Sequence, residues 1–385
     1  MRTHFGTVFV TAALAVGAAA GGAYSAAPVA VSSGMPLSVW TNKAGRVVHD
    51  FGQDAFGWAE VRLASGSGEI PEPVEIMLGE KLDGLGVDMS PGGSVRAALC
   101  RVAGLSPGAW QRVPMKADKR NTGPQAVKLP SEIGVVMPFR YVESPADIEV
   151  RRMSVAVPME MSASSFRCSD AKLNEVYGFC KYTIFATSFA GLYVDGDRER
   201  IPYEADAYIN MLGEQAVWTD GGMAKATMLH LLDNPTWPTE WQLHMPMMAH
   251  DYWMATGDIE TIRANYGRLK KLLLRDMARE GDGLLVTQSQ WDRKAPLCDI
   301  VDWPRCERDG FVFTNVNSVV NAFHIRALRD MARLSSALGE NGDAEIFARE
   351  ARAKADAFLS VFVDGDAGLV RDGEGVGHSS IHANI

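Results

Sequence analysis

Twelve residues, Asp195-Gly196-Asp197-Arg198-Glu199-Arg200-Ile201-Pro202-Tyr203-Glu204-Ala205-Asp206, carry five carboxylates and two guanidiniums beside Tyr193 and Tyr203. Unpaired charges repel and are costly to bury, so such a segment is a solvated loop, a structural ion-pair network, or a site holding one carboxyl ready for proton transfer. Apolar runs flank it, Tyr182-Thr183-Ile184-Phe185-Ala186 before and Ala207-Tyr208-Ile209-Asn210-Met211-Leu212 after, which argues against a solvated tail. A charged turn between two apolar segments is a common place for catalysis. Glu199 suits a general acid, because an apolar pocket near other acids raises a carboxyl's affinity for its proton. Asp195, Asp197 and Asp206 are then ionised neighbours able to bond hydroxyls, with Asp197 the alternative donor. Arg198 and Arg200 would offset the repulsion, one of them pairing with Glu204.

A second constellation is Trp237, Glu240 and Trp241. Sugars pack C–H faces on indole rings while carboxylates bond their hydroxyls, so this set suits a glycan pocket, and equally two core tryptophans beside a helix cap. The run His244-Met245-Pro246-Met247-Met248-Ala249-His250 has copper-ligand chemistry but reads as a core helix with adaptable side chains. His378 and His382 stand four apart, as zinc ligands on a helix do, but no nearby Glu or third ligand follows. No metal and no cofactor is expected. The five cysteines match no metal or haem motif. Cys168 and Cys180, read on one helix, would stand ~18 Å apart at ~1.5 Å per residue, too far to bond. Cys298 and Cys306 could close a small loop; all five are expected as buried thiols.

The elements that must position these groups fall into two textures. From Val39 to Val157 short runs alternate with period two between Gly and Pro: Val47–Gly52, Gly57–Leu63, Val74–Leu78 and Phe139–Glu143. This predicts a β-sandwich over residues 35–160. From Asp170 onward the period is helical: Leu173, Val176, Tyr177 and Cys180, then Ile325, Leu328, Met331, Ala332 and Leu338, with helix starts at Asp258 and Asp343. Helix pairs joined by Gly-rich turns at 281–287 and 309–314 suggest an α/α barrel over residues 165–385. Arg2 and His4, an apolar run from Val8 to Ala20 and small residues to Ala27 predict a signal peptide over 1–27 and a secreted or periplasmic protein. A net charge of −9 without a basic run argues against nucleic acid or an anionic membrane as partner.

The run Tyr193 to Arg200, with Asp206 and with Pro235-Thr236-Trp237-Pro238-Thr239-Glu240-Trp241, resembles the bacterial α-L-rhamnosidases and their six-hairpin (α/α)6-barrel relatives. Phe51-Gly52-Gln53-Asp54-Ala55-Phe56-Gly57, Leu78-Gly79-Glu80 and Pro138–Val142 are similar to the β-sandwich preceding that barrel, and His378–Asn384 looks like a later barrel segment. The resemblance implies an inverting exo-glycosidase that removes terminal rhamnose from glycans or glycosides, two carboxyls standing ~6.5–9.5 Å apart to admit water. Its general acid is the Glu of an Arg-Glu-Arg run with another acid seven residues on, which Glu199 and Asp206 match. It also implies sugar contacts from Asp302-Trp303. The family's leading Asp falls where this chain has Val194, one place before Asp195; its proline in the turn is absent and its Gly-Trp is replaced by Pro202-Tyr203. The substrate-binding set expected is Asp195, Asp197, Arg198, Tyr203, Asp206, Trp237, Glu240, Trp241, Asp302 and Trp303. Six hairpins need well over 300 residues and Ser165 to Ile385 supplies about 220, so a truncated barrel is expected, with the general base beyond Ile385. The alternatives are a non-catalytic carbohydrate-binding or scaffold protein, and a polysaccharide lyase using Tyr193 or Tyr203.

Overall fold

The computed structural model describes residues 25–66, 70, 72–287 and 296–385. The expected signal peptide lies, as far as residue 24, outside the described residues. The chain divides into two compact units, a sheet unit through Pro202 and a helical unit from Tyr203.

The sheet unit runs through β1 (Ala30–Gly34), β2 (Ser38–Thr41), β3 (Val47–Leu63), β4 (Val74–Gly79), a ribbon of β5 (Leu82–Asp83) with β6 (Gly86–Val87), then β7 (Ala97–Val102), β8 (Gln111–Arg112), β9 (Met137–Ser144) and β10 (Ile148–Ala156). Alternation places Val74, Ile76 and Leu78 of β4 inside, where they meet Cys100, Val102, Phe139, Val142, Ile148 and Val150. Strand order is β1-β10-β3-β9-β4-β7, with β2 and β8 also paired to β3. The two sheets expected of a sandwich are therefore joined into one. The cause is β3: the runs at Val47 and Gly57 are a single 17-residue strand that exchanges β2 for β10 on one edge and β9 for β8 on the other. Its register against β9 jumps from Asp50 opposite Tyr141 to Ala55 opposite Phe139, a bulge that lets the strand bend.

Helix α1 (Ala171–Ala186) is capped by Asp170, whose carboxylate accepts the Lys172 N–H at 2.8 Å. None of its residues is buried, so the face read as apolar from Leu173, Val176 and Cys180 is exposed or half-exposed. Packing assigns α1 and the turn after it to the sheet unit: Tyr182 donates to Asp54 O at 2.6 Å, Phe189 stacks on Phe56 at 3.7 Å, and Val157 N–H donates to Ser188 Oγ at 2.9 Å. Cys168 precedes the helix instead of lying on it. Only Cys100 and Cys298 are buried; Cys168 is half-buried, and Cys180 and Cys306 are exposed.

Among its described residues the helical unit holds three hairpins: α2 (Glu204–Gln215) with α3 (Gly222–Asp233), α4 (Thr239–Thr256) with α5 (Ile259–Lys271), and α6 (Ser318–Leu338) with α7 (Asn341–Phe362). A ribbon of β11 (Val363–Asp364) and β12 (Leu369–Val370) and the short α8 (Ile381–Asn384) follow. Helix α4 packs on both α2 and α6, with α3 and α5 also against it. A helix surrounded in this way is buried on most sides, and Met245, Met247 and Met248 are core residues, as the sequence suggested. His244 Nδ1 lies 2.9 Å from Glu240 O and His250 Nδ1 2.7 Å from Asp251 Oδ1. Asp258 caps α5 as expected, accepting Thr261 N–H at 3.0 Å, whereas Asp343 sits inside the first turn of α7 and bonds Tyr266 and Lys270.

Gly57 lies where β3 and β10 approach most closely, and a Cβ there would stand 1.9 Å from Met153 O. Backbone cannot yield as a flexible side chain does. Gly57→Ala is expected to lower the urea midpoint by the equivalent of ~2 kcal/mol or more, with Gly123→Ala, where a Cβ meets nothing within 4 Å, changing it little.

Candidate active site

In the sheet unit the charged turn is held by two of its own acids. The Asp195 backbone N–H donates to Ile201 O at 3.0 Å and its Oδ1 accepts the Ile201 N–H at 3.0 Å, closing a loop of the chain on itself. Asp197 is nine-tenths buried and takes Arg200 Nη2 at 2.6 Å, Arg200 Nε at 3.1 Å and Arg96 Nη1 at 3.2 Å. Asn121 adds a bond from Nδ2 to Asp197 O at 2.8 Å. Arg200 adopts a left-handed φ of 56°, uncommon without glycine. It is fixed there by its guanidinium, which also donates to Val136 O at 2.9 Å and faces the Phe189 ring, and by Val127 N–H donating to Arg200 O at 2.8 Å. Arg200 thus pairs with Asp197, not with Glu204.

Arg96 in turn binds Asp118, and its backbone N–H donates to Glu80. Burial, then the Asp54 carboxyl beside it, pushes Glu80 up to about 8, and burial raises Asp54 as well. Asn121 stands 76 residues upstream of Asp197, with no local signal to reveal the pairing. Asp197, expected as a sugar contact and as the alternative donor, has its carboxylate engaged by Arg200 and Arg96. Glu199 differs: its side chain is 33% exposed, with Arg198 Nη2 3.0 Å from Oε1 and Arg198 itself half-exposed.

The remaining candidates belong to the helical unit. Asp206, in the first turn of α2, has its carboxyl pushed up by burial. Tyr203 meets Trp241 edge-on at 5.4 Å and Trp241 lies 6.5 Å from Trp237, so these three half-buried rings form one cluster at the starts of α2 and α4. Two buried glutamates shape that end. Glu204 accepts Thr236 N–H at 2.8 Å and the Thr236 hydroxyl, with Gln242 Nε2 at 3.4 Å. Glu240 is 2% exposed, and its Oε1 accepts Ile300 N–H at 3.1 Å and Val301 N–H. Glu240, expected in the sugar-binding set, is thus a buried side chain turned to the backbone of the segment at 300–301. Burial, then the Asp299 charge, pushes its carboxyl up to about 7; burial pushes Asp299 up to about 6. Asp299, which the sequence offered no reason to select, accepts Asn317 Nδ2 at 2.8 Å and the Thr287 hydroxyl.

Asp302 and Trp303 are exposed, Trp303 at 66%, and Arg308 Nε donates to Asp302 O at 2.6 Å. Asp309 accepts Ile381 N–H at 2.8 Å. His378 Nδ1 lies 2.6 Å from Asp372 Oδ2 and His382 Nε2 2.8 Å from Glu307 O, so each imidazole tethers a loop. Among the described residues no group of three or more His, Cys, Asp or Glu is arranged to hold a metal ion.

Residues 161–385 match the family model of the bacterial alpha-L-rhamnosidase six-hairpin glycosidase domain. No match is found among curated proteins. Of solved structures, a rhamnosidase from Klebsiella oxytoca with rhamnose bound is similar at 13% identity and TM-score 0.68, over 93% of this chain and 75% of that one. The alpha-L-rhamnosidase of Streptomyces avermitilis complexed with L-rhamnose is similar at 16% identity and TM-score 0.63, over 90% of this chain and 32% of that one. The GH78 rhamnosidase of Bacillus sp. GL1 is similar at 18% identity and TM-score 0.61, over 89% and 35%. At these identities the likeness is one of fold, and the chain spans about a third of the last two structures.

Arg200→Ala leaves the buried Asp197 carboxylate with Arg96 as its remaining guanidinium partner and is expected to cost about 3 kcal/mol, while Arg198→Ala at the exposed neighbour costs under ~0.5 kcal/mol; denaturant titration distinguishes them. Glu240 and Asp299 have folded values above their ordinary ones, so protonation favours the fold. Their stabilisation is complete below the ordinary carboxylate range and is lost as pH rises through about 6 and 7. Glu240→Gln should therefore gain stability relative to the parent by about 3 kcal/mol between pH 5 and pH 8, read from unfolding curves at each pH.

Proposed function

Since the chain belongs to the bacterial alpha-L-rhamnosidase six-hairpin glycosidase family, we propose that it is a secreted glycoside hydrolase releasing terminal α-L-rhamnose with inversion, and that Glu199 is the general acid. The observation that carries the assignment is the division of labour within the charged turn. Asp195 and Asp197 hold the backbone and Arg200, whereas Glu199 projects a partly exposed carboxyl from the same rigid turn. A rigid mount for a proton donor matters because misplacement by an ångström can cost ~100-fold in rate.

In this reading the glycosidic C–O bond breaks as the proton passes from Glu199 to the departing oxygen. Water attacks the opposite face of the oxocarbenium-like sugar and surrenders its proton to a second carboxylate. Glu240 is an unsuitable second carboxylate, being buried with its Oε1 occupied by two backbone N–H groups. Tyr203, Trp237 and Trp241 supply rings for the apolar face of the sugar, and Asp206, Asp302, Trp303, Asp195 and Arg198 are the further contacts proposed. The structures of the Klebsiella oxytoca and Streptomyces avermitilis enzymes hold rhamnose, which supports the choice of sugar. The leader expected over residues 1–27 supports export.

Glu199→Gln keeps the shape of the side chain and removes its proton. Turnover of natural rhamnosides should fall by ~10²–10⁴-fold, and that of p-nitrophenyl rhamnoside much less, because an activated leaving group needs little protonation. Steady-state kinetics on both substrates checks this, and an equal loss on both would move the acid role to another residue.

A further inference from the structure

The segment between Cys298 and Trp303 is held unusually firmly for a loop. Cys298 N–H donates to Trp237 O at 3.2 Å and Thr239 N–H donates to Cys298 O at 3.0 Å, laying the segment along the entry to α4. Asp299 fastens one side through Thr287 and Asn317, the cap of α6. Glu240 fastens the other by accepting the Ile300 and Val301 N–H groups. Val301 then takes φ 62°, a left-handed conformation that a β-branched residue adopts only when its surroundings compel it. That reversal delivers Asp302 and Trp303 to the surface, where Asp302 Oδ1 accepts the Trp303 N–H at 2.6 Å. The helix start that carries Glu240 also carries Trp237 and Trp241.

We propose that Glu240 is a positioning residue of the sugar site: it forces the chain reversal at Val301 and so sets Asp302–Trp303 against the helix start bearing Trp237 and Trp241. This rests on the rhamnosidase reading given above. Glu240 acts as a hydrogen-bond acceptor for backbone, and neither its charge nor its proton takes part. Oε1 receives both N–H groups, the Ile300 N–H also lying at a longer 3.4 Å from Oε2, so an amide oxygen at the Oε1 place can replace it. Without an acceptor, two buried N–H groups lose their partners and nothing offsets the strain at Val301.

The test uses the full chain, Glu240→Gln, Glu240→Ala and Trp303→Ala, with two readouts. The first is the rate of tryptic cleavage after the exposed Arg305, mapped by mass spectrometry, which reports local opening of the loop. The second is L-rhamnose affinity by calorimetry. Glu240→Ala should accelerate cleavage and weaken L-rhamnose each by ~10-fold or more, Trp303→Ala should weaken the sugar alone, and Glu240→Gln should stay within about 3-fold of the parent on both. Parent-like cleavage in Glu240→Ala overturns the proposal. So does a folded Glu240→Gln protein that loses sugar affinity, which decides the matter even where the alanine variant does not fold. A parent chain with no affinity for L-rhamnose, beside a loop that still opens in Glu240→Ala, supports the clamp and sinks only the rhamnose reading.

Discussion

Buried carboxylates that accept backbone N–H groups are the interaction on which the helical unit's loops depend. Glu204 at the start of α2 holds Thr236, Glu240 at the start of α4 holds Ile300 and Val301, and the buried Asp372 accepts Val312 N–H at 2.9 Å and Ser380 N–H at 2.8 Å. Glu204 and Glu240 each reach from a helix start to the connection that follows their own hairpin, and Asp372, after β12, ties the turn at 309–314 to the segment before α8. The economy is physical: loop N–H groups taken from water need an acceptor, and a helix start carries partial positive charge that favours an acid. Desolvation pulls the other way, and for Glu240 and Asp299 it prevails, leaving both carboxyls poised near neutral pH.

The sheet unit solves a related problem with guanidinium groups. Its part of the charged turn would be unstable as three free acids, and the fold removes Asp197 from the contest by surrounding it with Arg200, Arg96 and Asn121. Arg96 and Asn121 come from connections between strands far upstream, so the charged turn borrows its rigidity from the sheet. The bent β3 belongs to the same arrangement. Its bulge at Phe51–Asp54 places Asp54 beside Glu80, the carboxyl that also accepts the Arg96 N–H.

Crowding of acids therefore has two meanings that a linear chain does not separate. Asp197 and Glu199 are two residues apart and chemically alike, yet one is a buried strut and the other a partly exposed acid. Glu240 likewise sits between two tryptophans that suit a sugar, and its own side chain turns to the backbone. Nearby side chains in a turn or on a helix point in different directions, so one motif can mix exposed groups with buried supports.

What the sequence determined by itself was the local grammar: period-two runs that became β3, β4 and β9, helical spacing that became α1 and α6, the cap at Asp258, and the charged turn with its family pattern. These depend on side-chain alternation, on capping chemistry and on motif spacing, all short-range. Tertiary structure alone decided that β3 joins the whole sheet, that α1 keeps an exposed face, that Arg200 binds Asp197 and not Glu204, and that Glu240 and Asp299 are buried supports. Each of those outcomes turns on burial and on partners tens of residues away, and desolvation is a property of a place in the fold that no residue carries with it along the chain.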